Sequence, residues 1–347
     1  MRAAGRGFRW ATLLALCALL LAQPLAARTV SGLYNASVPV KDRSPAERSR
    51  AAAAALGQVL VKLTGNRAAA GDASARPLLS RASTLLLQYG YANAPDGGLL
   101  LNARFDEHVL DRELSERGVV TWGHQRPDTV VFLVSDAEGG RQLVGGDALG
   151  ALGETLLRKA DTRALPLVLP ILDLEESARL NAAQDWEALA TGAGELGARY
   201  GVPAVLVGQL HAANEGVWEA RWRLTIDGDA LDWQDEGDLG EALVESGVDA
   251  LGDALARRYA EPALLGGAER VSVTVVGLRG AEDYARLSNY LESLDIITDL
   301  FLRAVDNQRV LYEATARGGR AGLAQAIGFG RVLAPVPGQI DTWELKP

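Results

Sequence analysis

The clearest hydrophobic pattern in the chain is the strict alternation of apolar and polar residues from Trp218 to Ile226. An alternation with a period of two is typical of a β-strand with one buried face. The dipeptide Asp227-Gly228 follows, and it is a preferred sequence for a two-residue type I′ turn. Counting back from that turn places Trp222 opposite Trp233. The pattern therefore predicts a hairpin with a cross-strand tryptophan pair on its buried face.

The residues around this hairpin predict a middle α/β domain over residues 128–260. Apolar strands and helices alternate along it: we expect strands over 129–135, 165–172 and 203–210, and helices over 149–160, 184–200 and 238–259. A Gly-rich loop is expected over 138–146. Strands that are apolar on both faces and separated by helices predict a sheet covered by helices.

The preceding residues 28–127 predict an N-terminal α+β domain. Ser44, Pro45 and Glu47 have the spacing of a capping box, and the Ala-rich helix that they begin should end at Gly65. Asp106 is expected to cap a second helical segment that runs to residue 117. The remaining elements expected here are strands over 33–40 and 99–105 and a helix over 77–88.

The last part of the chain, residues 269–336, predicts a ferredoxin-like βαββαβ unit, followed by a poorly ordered tail over 337–347. Its elements follow the order strand, helix, strand, strand, helix, strand: 269–275, 284–294, 296–305, 309–315, 320–327 and 329–333. The fold class expected for the whole chain is therefore α+β, with mixed α/β domains and a C-terminal ferredoxin-like unit.

The first 27 residues predict a cleavable signal peptide. Arg2, Arg6 and Arg9 precede an apolar run of 12 residues, 11–22, and small residues then end at Ala27. A membrane span needs about 20 apolar residues, so we expect cleavage after Ala27 rather than a retained anchor. Cys17 follows Leu16, where a lipoprotein signal requires a small residue, so lipidation is not expected. The predicted location is the periplasm, with no later membrane span.

Composition narrows the function classes. The chain of 347 residues has a net charge of -9, and loss of the three arginines brings it to -12. This balance argues against nucleic-acid binding, which needs a basic surface. The cleaved chain has no cysteine and no methionine, and its three histidines are scattered, so we expect no disulfide, metal or cofactor.

Two groups of polar residues raise the question of a metal or acid-base site. Asp106, Glu107, His108 and Asp111 bring a histidine close to carboxylates, but we favour a capped helix start, because the sequence has no second cluster of ligands. The acidic stretch 227–238 fails the calcium-loop pattern in both possible registers, which favours a solvated hairpin rim. No nucleophile elbow, P-loop or dinucleotide-binding motif occurs, so no catalytic residue is predicted.

Three residues are candidates for binding: Trp122, Arg126 and Trp218. The segment 121–127 is either an exposed aromatic and basic recognition loop or an anchor of the domain junction around a buried Trp122. We favour the anchor, because tryptophan is more often buried.

Several motifs together resemble the proteobacterial domain-of-unknown-function 2066 family of secreted envelope proteins. They are Val38-Pro39-Val40, the run from Leu60 to Arg67, Phe105-Asp106, Trp122-Gly123, Arg126-Pro127, the stretch from Tyr200 to Gly208, the Trp-rich hairpin and Asp283-Tyr284. The resemblance implies a Gram-negative envelope protein with no established activity. The architecture of the middle segment is also similar to periplasmic assembly factors, which is an analogy of fold alone.

The first hypothesis is a non-enzymatic periplasmic module that binds or assembles envelope proteins. Two alternatives stay open: a carboxylate-dependent hydrolase of an envelope polymer, and a small-ligand sensor that uses the C-terminal domain.

Overall fold

The structure is a computed structural model that describes residues 28–94, 97–137, 140–146, 149–213, 216–226, 228–259, 268–294, 296–306, 308–329 and 332–346. The predicted signal peptide lies outside these ranges. We divide the chain into a first unit (28–127), a second unit (128–259) and a third unit (268–346). Buried apolar side chains form one cluster mainly in the first unit, two clusters on opposite faces of the second unit's sheet, and one cluster in the third unit.

The first unit contains a three-stranded antiparallel sheet in the order β2-β4-β3, against which helix α1 packs. Its elements are β1 (Arg28–Thr29), β2 (Asn35–Val40), α1 (Pro45–Thr64), α2 (Arg76–Ser80), α3 (Ala82–Leu85), β3 (Leu86–Asn93), β4 (Leu99–Phe105), α4 (Glu107–Glu116) and β5 (Gln125–Arg126). The short strands β1 and β5 pair with each other.

The predicted ends of α1 are confirmed. The Ser44 hydroxyl accepts the backbone N–H of Glu47, and Gly65 closes the helix with a φ of 70°. The capping box is incomplete, however, because the Glu47 carboxylate accepts from the N–H of Lys41 while Asp42 accepts from Ser44. In the full motif Glu47 would accept the N–H of Ser44, the N-cap residue; here Asp42 accepts that N–H instead.

The helix predicted over 77–88 is interrupted at Arg81 and is wrong over its last three residues, 86–88. Two short helices, α2 and α3, end at Leu85, and the chain then continues directly as strand β3. Leu86–Asn93 is mostly exposed and pairs along β4. Its backbone hydrogen bonds to β4 are therefore a non-local interaction that overrides the helical appearance of Leu85-Leu86-Leu87.

The second unit contains a six-stranded mixed sheet in the order β11-β10-β9-β6-β7, with β8 paired to β6. Its elements are β6 (Thr129–Ala137), β7 (Gly140–Val144), α5 (Gly150–Arg163), β8 (Leu167–Val168), α6 (Leu174–Ala182), α7 (Trp186–Gly197), β9 (Ala204–Ala212), β10 (Trp218–Ile226), β11 (Asp229–Gly237) and α8 (Gly240–Tyr259). Strand β6 contributes alternate residues to the clusters on the two faces, so the predicted sheet buried on both sides is confirmed.

Two predictions beside β6 are wrong for a single reason. The Gly-rich stretch 138–146 contains strand β7, which pairs with β6 from Leu133 onward. On the same edge of β6, the parallel pairing with β8 is confined to Thr129 and Val130. The strand expected over 165–172 is therefore reduced to the two residues of β8, and helix α6 begins soon after it.

The predicted hairpin of β10 and β11 is confirmed, with Trp222 opposite Trp233 and their rings stacked 6.2 Å apart. Asp227, in the turn, lies outside the described residues. Trp222 is fully buried, and its indole lies against Gly208 on β9 and Gly247 on α8. A side chain at either glycine would overlap the ring. The two glycines are thus required by the volume of one tryptophan.

The third unit has the predicted βαββαβ order, extended by one strand. Its elements are β12 (Glu269–Val276), α9 (Ala281–Glu292), β13 (Ile297–Asp306), β14 (Arg309–Ala316), α10 (Gly319–Phe329), β15 (Leu333–Pro335) and β16 (Thr342–Leu345). The sheet order is β13-β14-β12-β16-β15.

The tail that we expected to be poorly ordered forms β16. This strand runs parallel to β12 and lies between β12 and β15, where a ferredoxin-like sheet would place the last strand of the βαββαβ unit. Trp343 and Leu345 are buried in the third unit's cluster. The burial of these two apolar side chains explains why the tail joins the sheet.

The α+β fold class is confirmed, with helices and mixed sheets along the described chain. Among the described residues, none of the helices combines the length and the apolar composition needed to cross a bilayer.

Gly247→Ala should destabilise the protein, because the new methyl group overlaps the buried ring of Trp222. We expect the free energy of unfolding, measured in urea, to fall by about 1–3 kcal/mol. Gly194→Ala is the matched control, since Gly194 lies in helix α7 with open space where the alanine methyl group would lie, and should gain about 0.5–1 kcal/mol. Equal effects of both substitutions would contradict this account.

Candidate functional site

Arg126, one of the three candidate residues, is fully buried where the first unit meets the second. Its guanidinium donates hydrogen bonds to the backbone carbonyls of Lys62, Trp122, Arg163 and Ala164. A buried guanidinium that lost these acceptors would carry a large desolvation penalty. The side chain therefore joins the end of α1, the segment before β5 and the end of α5.

Trp122, the second candidate, is 3% exposed in the same junction. The Arg126 guanidinium carbon lies 4.2 Å from its ring centroid, a cation-π contact. The indole also lies against Gly65, where a Cβ atom would overlap the ring. The backbone N–H of Trp122 donates to the carbonyl of Leu63. Gly65 therefore has two roles: it ends α1, and its lack of a side chain leaves room for the Trp122 ring.

A second buried arginine, Arg163 on α5, completes the junction. Its guanidinium donates to Asp249 at 3.1 Å, to Asp253 at 2.8 Å and to the carbonyl of Gly65 at 2.6 Å. Arg67, which follows α1, pairs with the same Asp253 at 2.5 Å. The first unit is therefore held to the second by charge as well as by packing.

The pKa of Asp253 reflects this environment. Burial alone would raise the pKa of this carboxyl, but hydrogen bonds from Arg163 and Arg67 outweigh it and hold the pKa below its usual value of 3.8. Asp253 is therefore a carboxylate at neutral pH and supports both arginines.

These contacts decide between the two roles left open for the segment 121–127. Trp122 and Arg126 present almost no surface to an external partner, so the exposed recognition loop is wrong and the junction anchor is correct. Trp218, the third candidate, is half-buried and packs against the second unit's core. Its role in binding stays a prediction.

The polar groups considered as metal sites have local partners. Asp106 caps α4 by accepting the N–H of Val109, as predicted, and Asp111 accepts from the hydroxyl of Tyr34. In the acidic stretch, Asp232 pairs with Arg223 at 2.7 Å. Over the described ranges, no three histidine, cysteine or acidic side chains are grouped as a metal ion would require.

An open cavity of about 610 Å³ lies between α6 and α7 and is lined in part by Asp185, Glu187 and Glu195. Asp185 caps α7, Glu187 pairs with Arg223, and Glu195 pairs with Arg179. A hydrolase acid must be kept protonated by burial, whereas Glu187 and Glu195 are 70% and 61% exposed. The arrangement of these acids does not favour the hydrolase hypothesis.

The turn before α6 exposes two large aliphatic side chains on a strained backbone. Ile171 is 74% exposed and Leu174 is 88% exposed. Between them, Leu172 has a φ of 57°, a left-handed conformation that is strained for a leucine. We call residues 171–174 the apolar tip.

A buried polar network holds the apolar tip in this conformation. Glu176, which is 1% exposed, accepts the N–H of Leu172 at 2.7 Å and the hydroxyl of Tyr200 at 2.6 Å. That hydroxyl in turn accepts the N–H of Ile171 at 2.9 Å. Burial and the bond to Glu176 raise the pKa of Tyr200 to about 12, so it stays a protonated donor. Strain that is over-determined by its surroundings is characteristic of functional segments.

Sequence reasoning missed the apolar tip, because it assigned 165–172 to a strand. One signal was present: Asp173 followed by Glu175 and Glu176 has the pattern of a helix start, and Asp173 does cap α6. The buried role of Glu176 carried no signal, since it depends on Tyr200, which lies beyond the end of α7.

Arg126→Lys should lower the free energy of unfolding by about 2–4 kcal/mol. A lysine ammonium group cannot donate to all of the carbonyls that accept hydrogen bonds from the planar guanidinium. Urea denaturation measures the loss. Arg104→Lys is the control, since Arg104 is exposed on β4 and the same change there should stay within about 0.5 kcal/mol. A stable Arg126→Lys protein would contradict the anchoring role.

Asp253→Asn should destabilise the chain at neutral pH but not in acid. Because the folded-state pKa of Asp253 is depressed, its stabilisation is present above the unfolded value of 3.8 and is lost as the pH falls through the folded pKa. The difference in urea midpoint between wild type and variant should be largest at neutral pH and shrink as the pH falls below the unfolded pKa of 3.8. A difference that is independent of pH would refute the ionic role.

Comparison with solved structures gives low similarity. A competence or damage-inducible protein from Enterobacter asburiae is 15% identical, over 42% of this chain and 93% of its own, with a TM-score of 0.25. Lipoprotein GNA1162 from Neisseria meningitidis is 16% identical, over 38% of this chain and 96% of its own, with a TM-score of 0.22. Scores this low identify neither a fold nor a function for the chain.

No curated protein matches the chain in sequence. The resemblance to the 2066 family stays a prediction, because the family model that matches is a different one and spans less than half of the chain. Residues 27–123, which correspond closely to the first unit, match a family described as a domain of unknown function (DUF8605).

Proposed function

We propose that the protein is a non-enzymatic binding module of the bacterial cell envelope, exported to the periplasm, and that it docks an envelope protein through the apolar tip. The observation that carries this proposal is the exposure of Ile171 and Leu174 on a backbone held in a strained conformation. Side chains on a backbone that is already held in place cost less conformational entropy when they enter a partner's apolar pocket.

The surroundings of the tip support a docking role rather than a hinge. Gly145 and Gly146 pass close beneath it, and the N–H of Gly146 donates to the carbonyl of Pro170 at 2.9 Å. The Arg199 guanidinium bonds to Asp173 at 2.7 Å and lies 3.7 Å from the buried Glu176 carboxylate. The backbone of the tip is therefore fixed from three sides, while its two aliphatic side chains point outward.

The charges around the tip indicate what kind of partner it fits. The exposed Asp173 and Glu175 make the start of α6 acidic, with Arg199 as a counter-charge. An anionic lipid surface would be repelled by this net negative charge. An envelope protein with an apolar pocket and a basic rim is complementary to it.

The test is crosslinking of the tagged chain, from Arg28 onward, in the periplasm of its own cells. Ile171→Arg and Leu174→Arg should each reduce the recovered partner at least about tenfold, since a charge replaces an anchor that must be desolvated. Both side chains are exposed, so the fold should be retained. Ile340→Arg is the matched control, because Ile340 is 76% exposed in the third unit and the proposal gives it no part in docking.

A partner that all three variants recover equally would place the docking surface elsewhere. No partner above background, with the wild-type protein folded and abundant in the periplasm, would overturn the binding function itself.

A further inference from the structure

The long edge strand of the third unit is a second unusual surface. β13 runs for ten residues at one end of the order β13-β14-β12-β16-β15, so among the described strands it pairs with β14 alone. Nearly every residue along it is exposed, on both faces of the sheet. Such an edge presents unpaired backbone groups that can add another strand.

Large apolar side chains are concentrated at the centre of this edge. Phe301, Leu302 and Val305 are 52%, 46% and 59% exposed. The pairing with β14 places Phe301 opposite Glu313 and Leu302 opposite Tyr312, on the two different faces of the sheet. The exposed apolar surface therefore follows the edge itself and does not belong to one face.

Two of the three charged residues of β13 lie symmetrically about Phe301, and the third, Asp306, ends the strand. Asp299 lies two residues before Phe301 and Arg303 lies two residues after it. Arg303 bonds to Glu313 at 2.7 Å and its guanidinium carbon lies 5.7 Å from the Phe301 ring, so it reaches the same face as that ring. Asp299 pairs opposite Thr315, which places it on this face as well.

From this symmetry we infer that the chain forms a homodimer by antiparallel pairing of β13 with β13 of a second copy, with Phe301 opposite Phe301. In this register Asp299 of each copy faces Arg303 of the other, which gives two opposite-charge pairs. Leu300 faces Leu302, and Ile297 faces Val305. The residues of both apolar pairs lie on the helix-covered face of the sheet, because their neighbours on β14 lie on that face. The two five-stranded sheets become one.

Neighbouring registers do not place opposite charges and side chains of the same face opposite each other. The register of β13 against β14 is interrupted at Thr298 and Arg303, but Leu300, Phe301 and Leu302 alternate between the faces. A shift by one residue would therefore bring Phe301 opposite Leu300 or Leu302, whose side chains lie on the other face. A shift by two residues in either direction separates Asp299 from Arg303 and leaves neither charge with an opposite partner across the interface. Charges on an edge strand ordinarily prevent association. On β13 their order favours the register centred on Phe301.

The dimer is expected to be a reversible one. A single strand pair with a few apolar contacts is smaller than the about 1,200–2,000 Å² interface of a stable complex. Its formation should therefore depend on concentration, and the surface is separate from the apolar tip of the second unit. The inference does not rest on the proposed docking function.

Sedimentation equilibrium of the chain from Arg28 onward, over a concentration series, tests the dimer by charge reversal. Asp299→Arg and Arg303→Asp each place like charges opposite each other and should weaken association at least about tenfold. The double variant restores opposite charges and should recover most of the affinity. Mixing the two single variants should produce heterodimers, because each supplies the charge that the other lacks. A wild type that stays monomeric at all concentrations, or single variants that associate normally, would overturn the inference.

A second measurement tests the register and does not depend on the charges. Because the only cysteine of the sequence is Cys17, the chain from Arg28 onward has no thiol, and Phe301→Cys introduces one. Opposed residues of antiparallel strands have Cα atoms about 4.5–5.5 Å apart, within the range of a disulfide. Phe301→Cys should therefore form a disulfide dimer under mild oxidation. Val305→Cys, at an equally exposed position, should not, because it faces residue 297 of the other copy. Equal crosslinking at both positions would contradict the symmetric register.

Discussion

The buried guanidinium of Arg126 is the interaction on which the arrangement of the first two units depends. Its hydrogen bonds go to backbone carbonyls at the end of α1, at Trp122 and at the end of α5. Carbonyls of three separate segments must reach one planar cation, so none of these segments can move without leaving a buried charge unsatisfied. Arg163 is a second buried arginine at this junction, and its guanidinium bonds to two aspartates of α8.

This constraint has a consequence for the first unit. Its α1 ends at Gly65, against which Trp122 packs, while Arg126, Arg163 and Asp253 reach it from later in the chain. Residues 28–123 alone would expose Trp122 and the carbonyls that now accept hydrogen bonds from Arg126. The first unit therefore depends on the second for the environment of its own helix terminus.

The two exposed apolar surfaces are built in different ways. The apolar tip is a short turn whose strain at Leu172 is offset by the buried Glu176 and Tyr200. The β13 edge is extended backbone whose selectivity lies in the order of its charges. A strained turn suits a pocket of complementary shape, and an extended edge suits another strand. This difference is why we assign them different partners.

Local patterns were sufficient for the elements whose interactions are close in sequence. The hairpin register, the caps at Ser44, Gly65 and Asp106, and the βαββαβ order of the third unit all follow from short-range rules. The sequence also narrowed Trp122 and Arg126 to two roles. It favoured the anchor role but could not establish it, because burial is decided by residues as distant as Ala256, which packs against Gly65 beside Trp122.

The sequence by itself determined which segments are helical or extended wherever a turn, a cap or an alternation is complete within a few residues. Tertiary structure alone decided the rest. Pairing with β4 turned 86–93 into a strand, competition between β7 and β8 for the edge of β6 shortened 165–172, and insertion beside β12 ordered the tail. Each of these outcomes depends on whether a partner strand has free backbone groups, and that is a property of the assembled sheet rather than of the segment.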